Sequence, residues 1–143
     1  MNLPHDYQAT AKAGTEGNVA ISVAHAGGIE SAAPKEFGGP GDQWSPEDLL
    51  VGAVADCFIL SFRAIAGMSK FEWTSIQCEV SGTLDKVERD IQFTAFQVKA
   101  HLTIPEGADA DRAQRLLEKA EATCFITNSL KAEPHLETDI SVG

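Results

Sequence analysis

Three cysteines are the residues of this 143-residue chain best suited to chemistry, and the odd count leaves at least one thiol without a pairing partner of its own. A thiol is a small hydrophobe while protonated and a strong nucleophile once ionised, so its surroundings decide which it is. Cys78 falls between Ile76 and Val80 in an alternating stretch, where the spacing predicts an inward-facing packing residue. Cys57 and Cys124 are far apart, with no C-x-x-C pair and no histidine at ligand spacing. That pattern predicts no metal site, and no cofactor is expected. Burial alone would make both of them packing residues more often than reactive ones. His5, His25, His101 and His135 show no nucleophile–base spacing, so a Cys–His hydrolase would require the fold to bring one of them to Cys57.

The elements that must position these thiols can be read from pattern. Ser45-Pro46-Glu47-Asp48 is a helix start, with a capping hydroxyl, a proline at the first helical position and acids at the positive helix end. The helix that follows, through Cys57 to about Gly67, is apolar almost all round. Such a helix must be covered on most sides, which predicts help from a second subunit; the other reading is a central helix wrapped by its own sheet. Asp56 and Arg63 inside it argue against a membrane span and are spaced for a buried ion pair at i, i+7. Before it, Tyr7 to Ile29 reads as a small antiparallel meander, and Lys35 to Gln43 as a turn-rich connection. Phe37 and Trp44 flank that connection and suit either a loop anchor or the entrance for an apolar substrate.

After the helix, Trp73 to Leu84 alternates as a strand with one wet face. Ile91 to Ile104 is a second strand whose apolar phase slips near Ala95, as a bulge would produce. Asp109 can cap a second helix whose spacing places Cys124 on its buried face near its end, and a last strand runs from about His135 to Val142. The order predicts one α+β domain over residues 1–143 with antiparallel sheets packed on two helices.

Charge narrows the partners. The formal net charge of −10 repels phosphate backbones and anionic lipid, so neither nucleic acid nor a membrane is an expected partner. The first twelve residues carry neither a basic leader nor an apolar run, and the unpaired thiols suit a reducing compartment, which predicts a cytoplasmic protein.

Two separated motifs add a resemblance. Gly38-Gly39-Pro40-Gly41, Ser45-Pro46-Glu47-Asp48-Leu49-Leu50 and Ala53-Val54-Ala55-Asp56-Cys57-Phe58 resemble the hallmark segment of the OsmC/Ohr family of osmotically inducible and organic-hydroperoxide-resistance proteins. Thr123-Cys124-Phe125-Ile126-Thr127-Asn128-Ser129 resembles that family's second cysteine motif. The resemblance implies an OsmC-like fold in an intertwined homodimer with its sites at the subunit interface. It implies that Cys57 reduces a hydroperoxide, that Cys124 resolves it as a disulfide, and that a dithiol, often a lipoyl group, restores both. Glu47 would belong to the same network with an arginine from the N-terminal strands. Ten helical residues separate Glu47 from Cys57 by about 15 Å along the axis, so that carboxylate would act across the dimer. The chain departs from the family in one respect: no arginine precedes Arg63, leaving Lys12 and Lys35 as the N-terminal cations. A lysine does not reproduce the planar fork of an arginine. The departure keeps open a member of the fold that binds a small apolar ligand or performs other cysteine chemistry, and a purely structural dimer.

Overall fold

The computed structural model describes residues 2–143, which group into two compact units, one ending at Leu50 and the other spanning Val51–Gly143. In the first, strands β1 (Thr10–Lys12), β2 (Val19–Val23) and β3 (Gly27–Ser31) form an antiparallel meander in the order β1-β2-β3. A 3-10 turn over Lys35–Phe37 follows. Gly39 then passes so close to the Ala33 carbonyl that a Cβ would lie 1.7 Å from its oxygen, so no other residue fits there. Phe37 and Trp44 stay exposed rather than anchoring this connection.

Helix α1 (Pro46–Met68) starts where its cap is built. The Ser45 hydroxyl accepts from the Asp48 N–H at 3.0 Å, and the Asp48 carboxylate accepts from the Ser45 N–H at 3.0 Å. This reciprocal box satisfies two backbone donors that a helix start leaves free. The boundary between the two units falls inside α1, between Leu50 and Val51, not in a linker.

In the second unit, strands β4 (Ser75–Val87), β5 (Asp90–Ile104) and β6 (Pro134–Val142) form a sheet in that order, and α2 (Ala110–Ala122) lies between β5 and β6 in the chain. The expected slip in β5 is present: Thr83 pairs with Ala95 and Leu84 with Phe93, leaving Thr94 as the extra residue. The sheet is not wholly antiparallel, since β6 runs parallel to β5. A parallel neighbour needs a long crossover, and α2 supplies it. Asp109 caps α2, its carboxylate accepting from the N–H groups of Asp111 and Arg112.

One face of this sheet carries the core. Val98, Ala100, Leu102 and Ile104 of β5 pack with Val54, Phe58, Phe62, Ile65 and Ala66 of α1 and with Ala113, Leu116, Leu117 and Ala120 of α2. Each large side chain buried here contributes about 1.5–3 kcal/mol. Gly82 of β4 makes room for it, because a Cβ there would sit 2.9 Å from the Phe93 ring and 3.0 Å from a Val51 methyl. By length and composition α1 could cross a bilayer, yet its Val54–Ala66 stripe packs as a core helix. Those five residues are the only buried ones in α1; Leu60 is 50% exposed and Met68 78%. The expected Asp56–Arg63 ion pair does not form, because both side chains reach solvent, where water replaces the partner.

Candidate functional site

Cys57 lies on α1 one residue before the buried Phe58, at the margin of the core stripe, and its side chain is half-buried. Ser61, one helical turn on and therefore on the same face, places its Oγ 3.9 Å from the Cys57 sulfur. The spacing rule that joins i to i+4 could have singled out Ser61 from the sequence.

Cys124 is not on α2, as its spacing suggested. The helix ends at Ala122, and Thr123 leaves helical geometry while its hydroxyl donates back to the Lys119 carbonyl at 2.8 Å. Side-chain back-bonding of this kind competes with continuing the helix. Cys124 therefore opens the turn that follows, and it is only 1% exposed. The Cys124 carbonyl accepts from the Asn128 N–H at 3.0 Å and from the Thr127 hydroxyl at 3.2 Å, and the Phe125 carbonyl accepts from the Ser129 hydroxyl at 2.9 Å. The main chain of this turn acts on both thiols: Ile126 and Phe125 lower Cys57, and Thr127 lowers Cys124.

The two thiols are neighbours, and their surroundings push them apart in acidity. Burial pushes the Cys57 thiol up, but the Ile126 main chain, the Cys124 thiol, the Ser61 hydroxyl and the Phe125 main chain together outweigh it. The net effect holds Cys57 below the ordinary thiol range. Cys124 moves the other way: burial raises it, Thr127 opposes that, and a charged Cys57 raises it further. The arrangement favours one thiolate beside one thiol, a nucleophile with a proton donor nearby.

Cys78 occupies the inward face of β4 against the core, and burial first, then the charges of Cys124 and Glu79, push it up to about 11. Its packing role agrees with the sequence. Glu47 lies in the first turn of α1 with one carboxylate oxygen, Oε1, buried and without a hydrogen-bond partner among the described residues. Lys12 and Lys35 are exposed. Among the described residues no cationic side chain and no histidine is seen to act on Cys57, and His101 instead sits 3.4 Å from Asp139 on the wet sheet face.

An α+β fold presenting a neighbouring pair of thiols of unlike acidity defines a class of cysteine-centred protein. The chain belongs to the OsmC-like protein family, whose model matches residues 39–139. It is 33% identical over 93 residues to the peroxiredoxin OsmC of Escherichia coli, a segment that spans 65% of this chain and 64% of that protein. It is 29% identical over 125 residues to the organic hydroperoxide resistance protein of Xanthomonas axonopodis pv. citri, covering 86% of this chain and 84% of that one. An OsmC-like protein of unknown function from Vibrio cholerae superposes with a TM-score of 0.86 at 17% identity, over 94% of this chain and 99% of the other, and so shares the fold.

Proposed function

We propose that the protein is a thiol-dependent peroxidase for organic hydroperoxides, with Cys57 as the attacking thiolate and Cys124 as the resolving thiol. The observation that carries this reading is the nearness of two thiols far apart in sequence that act on each other, of which Cys57 alone is pushed toward the thiolate. The names borne by the Escherichia coli and Xanthomonas relatives support the same chemistry. In the first step the Cys57 sulfur attacks the terminal peroxide oxygen. An S–O bond forms and the O–O bond breaks, and the alkoxide leaves and takes a proton to become an alcohol. The peroxide gains two electrons, and Cys57 becomes a sulfenic acid. The Cys124 sulfur then displaces that oxygen as water, forming the disulfide, and an external dithiol, a lipoyl group by family resemblance, returns both thiols by exchange.

We place the protein in the cytoplasm as a homodimer, one domain per chain. The support is the apolar, incompletely buried surface of α1 around Leu60 and Met68, which a second copy would cover, and the unit boundary that falls inside an unbroken helix. The orphaned Glu47 Oε1 is consistent with a partner supplied by that second copy, so Glu47 acts across the interface. The decisive experiment follows dithiol oxidation driven by cumene or tert-butyl hydroperoxide. Cys57→Ser should abolish it, and undiminished turnover in that variant would sink the assignment. Sedimentation of the same preparation as a monomer would remove the dimer.

A further inference from the structure

Helix α1, which carries Cys57, and helix α2, which leads into Cys124, are tied together at the end remote from the thiols. Helix α1 closes in a turn where the Phe71 N–H donates to the Ala66 carbonyl at 2.9 Å and the Lys70 N–H to the Gly67 carbonyl at 3.2 Å. Lys70 takes the left-handed position of this turn, φ 53°, where glycine is usual. The two bonds leave the Ser69 carbonyl without a backbone donor among the described residues. The Arg112 guanidinium, from the first turn of α2, donates to that carbonyl and lies over the buried Phe71 ring, 5.6 Å from its centroid. A cation suits the place, because the carbonyl end of a helix carries partial negative charge.

Spacing relates this tie to the thiols. Ser69 follows Cys57 by twelve residues, and Arg112 precedes Cys124 by twelve. Tie and thiols are therefore about 18 Å apart along each segment. Equal offsets are what two segments running in opposite directions need if a residue pair is to meet at each end, and Ile65, Ala66, Leu116 and Leu117 pack in the core between them. A disulfide forms only when its two Cα atoms stand about 4.4–6.8 Å apart. A slip of α2 along α1 by two residues, roughly 3 Å, would take the sulfurs out of that range. Apolar burial is non-directional and resists such a slip poorly, whereas a hydrogen bond aimed at one carbonyl does not slide. Resting on the Cys57–Cys124 pairing of the peroxidase reading, we propose that Arg112 is a positioning residue: its bond to the Ser69 carbonyl and its seat on Phe71 fix the register of α2 against α1 and so hold Cys124 within disulfide reach of Cys57.

The experiment equilibrates the full protein with mixtures of reduced and oxidised glutathione and measures, by mass spectrometry, the peptides joined through Cys57 and Cys124. Arg112→Met keeps an apolar stem over Phe71 but loses the donors, and should lower the equilibrium constant for that disulfide roughly tenfold, equivalent to about 30 mV. Arg112→Lys, which keeps a cationic donor without the planar fork, should fall between the two. Lys70→Gly alters stability at the same turn without touching either bonded group, and should leave the constant within about twofold. An unmoved constant in Arg112→Met, or an equal fall in Lys70→Gly, overturns the assignment. If Arg112→Met fails to fold, Phe71→Leu decides: losing the ring beneath the guanidinium should lower the constant about threefold, and an unmoved constant again overturns the role. Glutathione exchange uses no peroxide. The register role therefore stands if the constant falls while hydroperoxides drive no turnover, and the peroxidase reading stands if turnover needs Cys57 while Arg112→Met leaves the constant unmoved.

Discussion

The Cys124 thiol helps to hold the Cys57 thiol below its ordinary range while charge on Cys57 pushes Cys124 up, so the proton that one cysteine keeps is part of what lets the other lose its own. The asymmetry comes from the turn after α2. Its main chain at positions 125 and 126 lowers Cys57, while at 127 it lowers Cys124. Two chemically identical side chains thereby acquire different acidities.

The first consequence is an order of reactivity. Cys57 is the thiol held below its ordinary range, whereas Cys124 is pushed up and Cys78 is pushed up to about 11. Four pH units below its midpoint, as Cys78 is at neutral pH, a thiol is roughly one part in ten thousand thiolate. A limiting dose of iodoacetamide at neutral pH should therefore label Cys57 before either of the others, and peptide mapping reads the order directly. Labelling of Cys78 first would contradict the assignment.

Alkaline stability follows from Cys78 with a definite sign. Its folded midpoint of about 11 lies above the ordinary 9.0, so the unfolded chain releases this proton first. The stabilisation is complete below 9.0 and is lost as pH rises through about 11. Cys57 has the opposite sign: its lowered midpoint contributes stability above the ordinary value and gives it up as pH falls through the folded one. Urea midpoints measured across the alkaline range should fall less steeply in Cys78→Ala than in the parent, after allowing for the constant cost of the lost sulfur.

Gly82→Ala should destabilise the fold by about 1–3 kcal/mol, because overpacking forces a shift in well-packed neighbours. The neighbours are the Phe93 ring at 2.9 Å and the Val51 methyl at 3.0 Å from the added carbon. Urea denaturation should show a lower midpoint at an unchanged slope.

The two helix caps offer a paired test. Ser45→Ala removes one half of the box with Asp48, and Asp109→Ala removes the acceptor for the N–H groups of Asp111 and Arg112. Each should cost about 1 kcal/mol. The caps share no hydrogen-bond partner, so the double variant should lose close to the sum.

What the sequence made legible was local. The helix start at Ser45 and the cap at Asp109 follow from rules spanning three or four residues, and the phase slip near Ala95 announced the extra Thr94 before any pairing was known. The partner of β6 was not legible in the same way, because its own alternation says nothing about the direction of the strand beside it. At Cys124 the helical spacing simply ran on past Ala122, while the Thr123 hydroxyl bent the chain away. The nearness of Cys57 and Cys124 came through family resemblance, and the groups that lower the Cys57 thiol did not, since the resemblance pointed to an arginine absent from the N-terminal strands.

The turn at Phe125 and Ile126 inverts the usual tolerance of a reactive site. Phe125 is 67% exposed, and what it offers the sulfur is its main chain. Almost any residue can supply that main chain. Aligned kin could therefore drift freely at both positions while keeping the same thiolate support. A survey that ranks residues by invariance would pass over the support altogether.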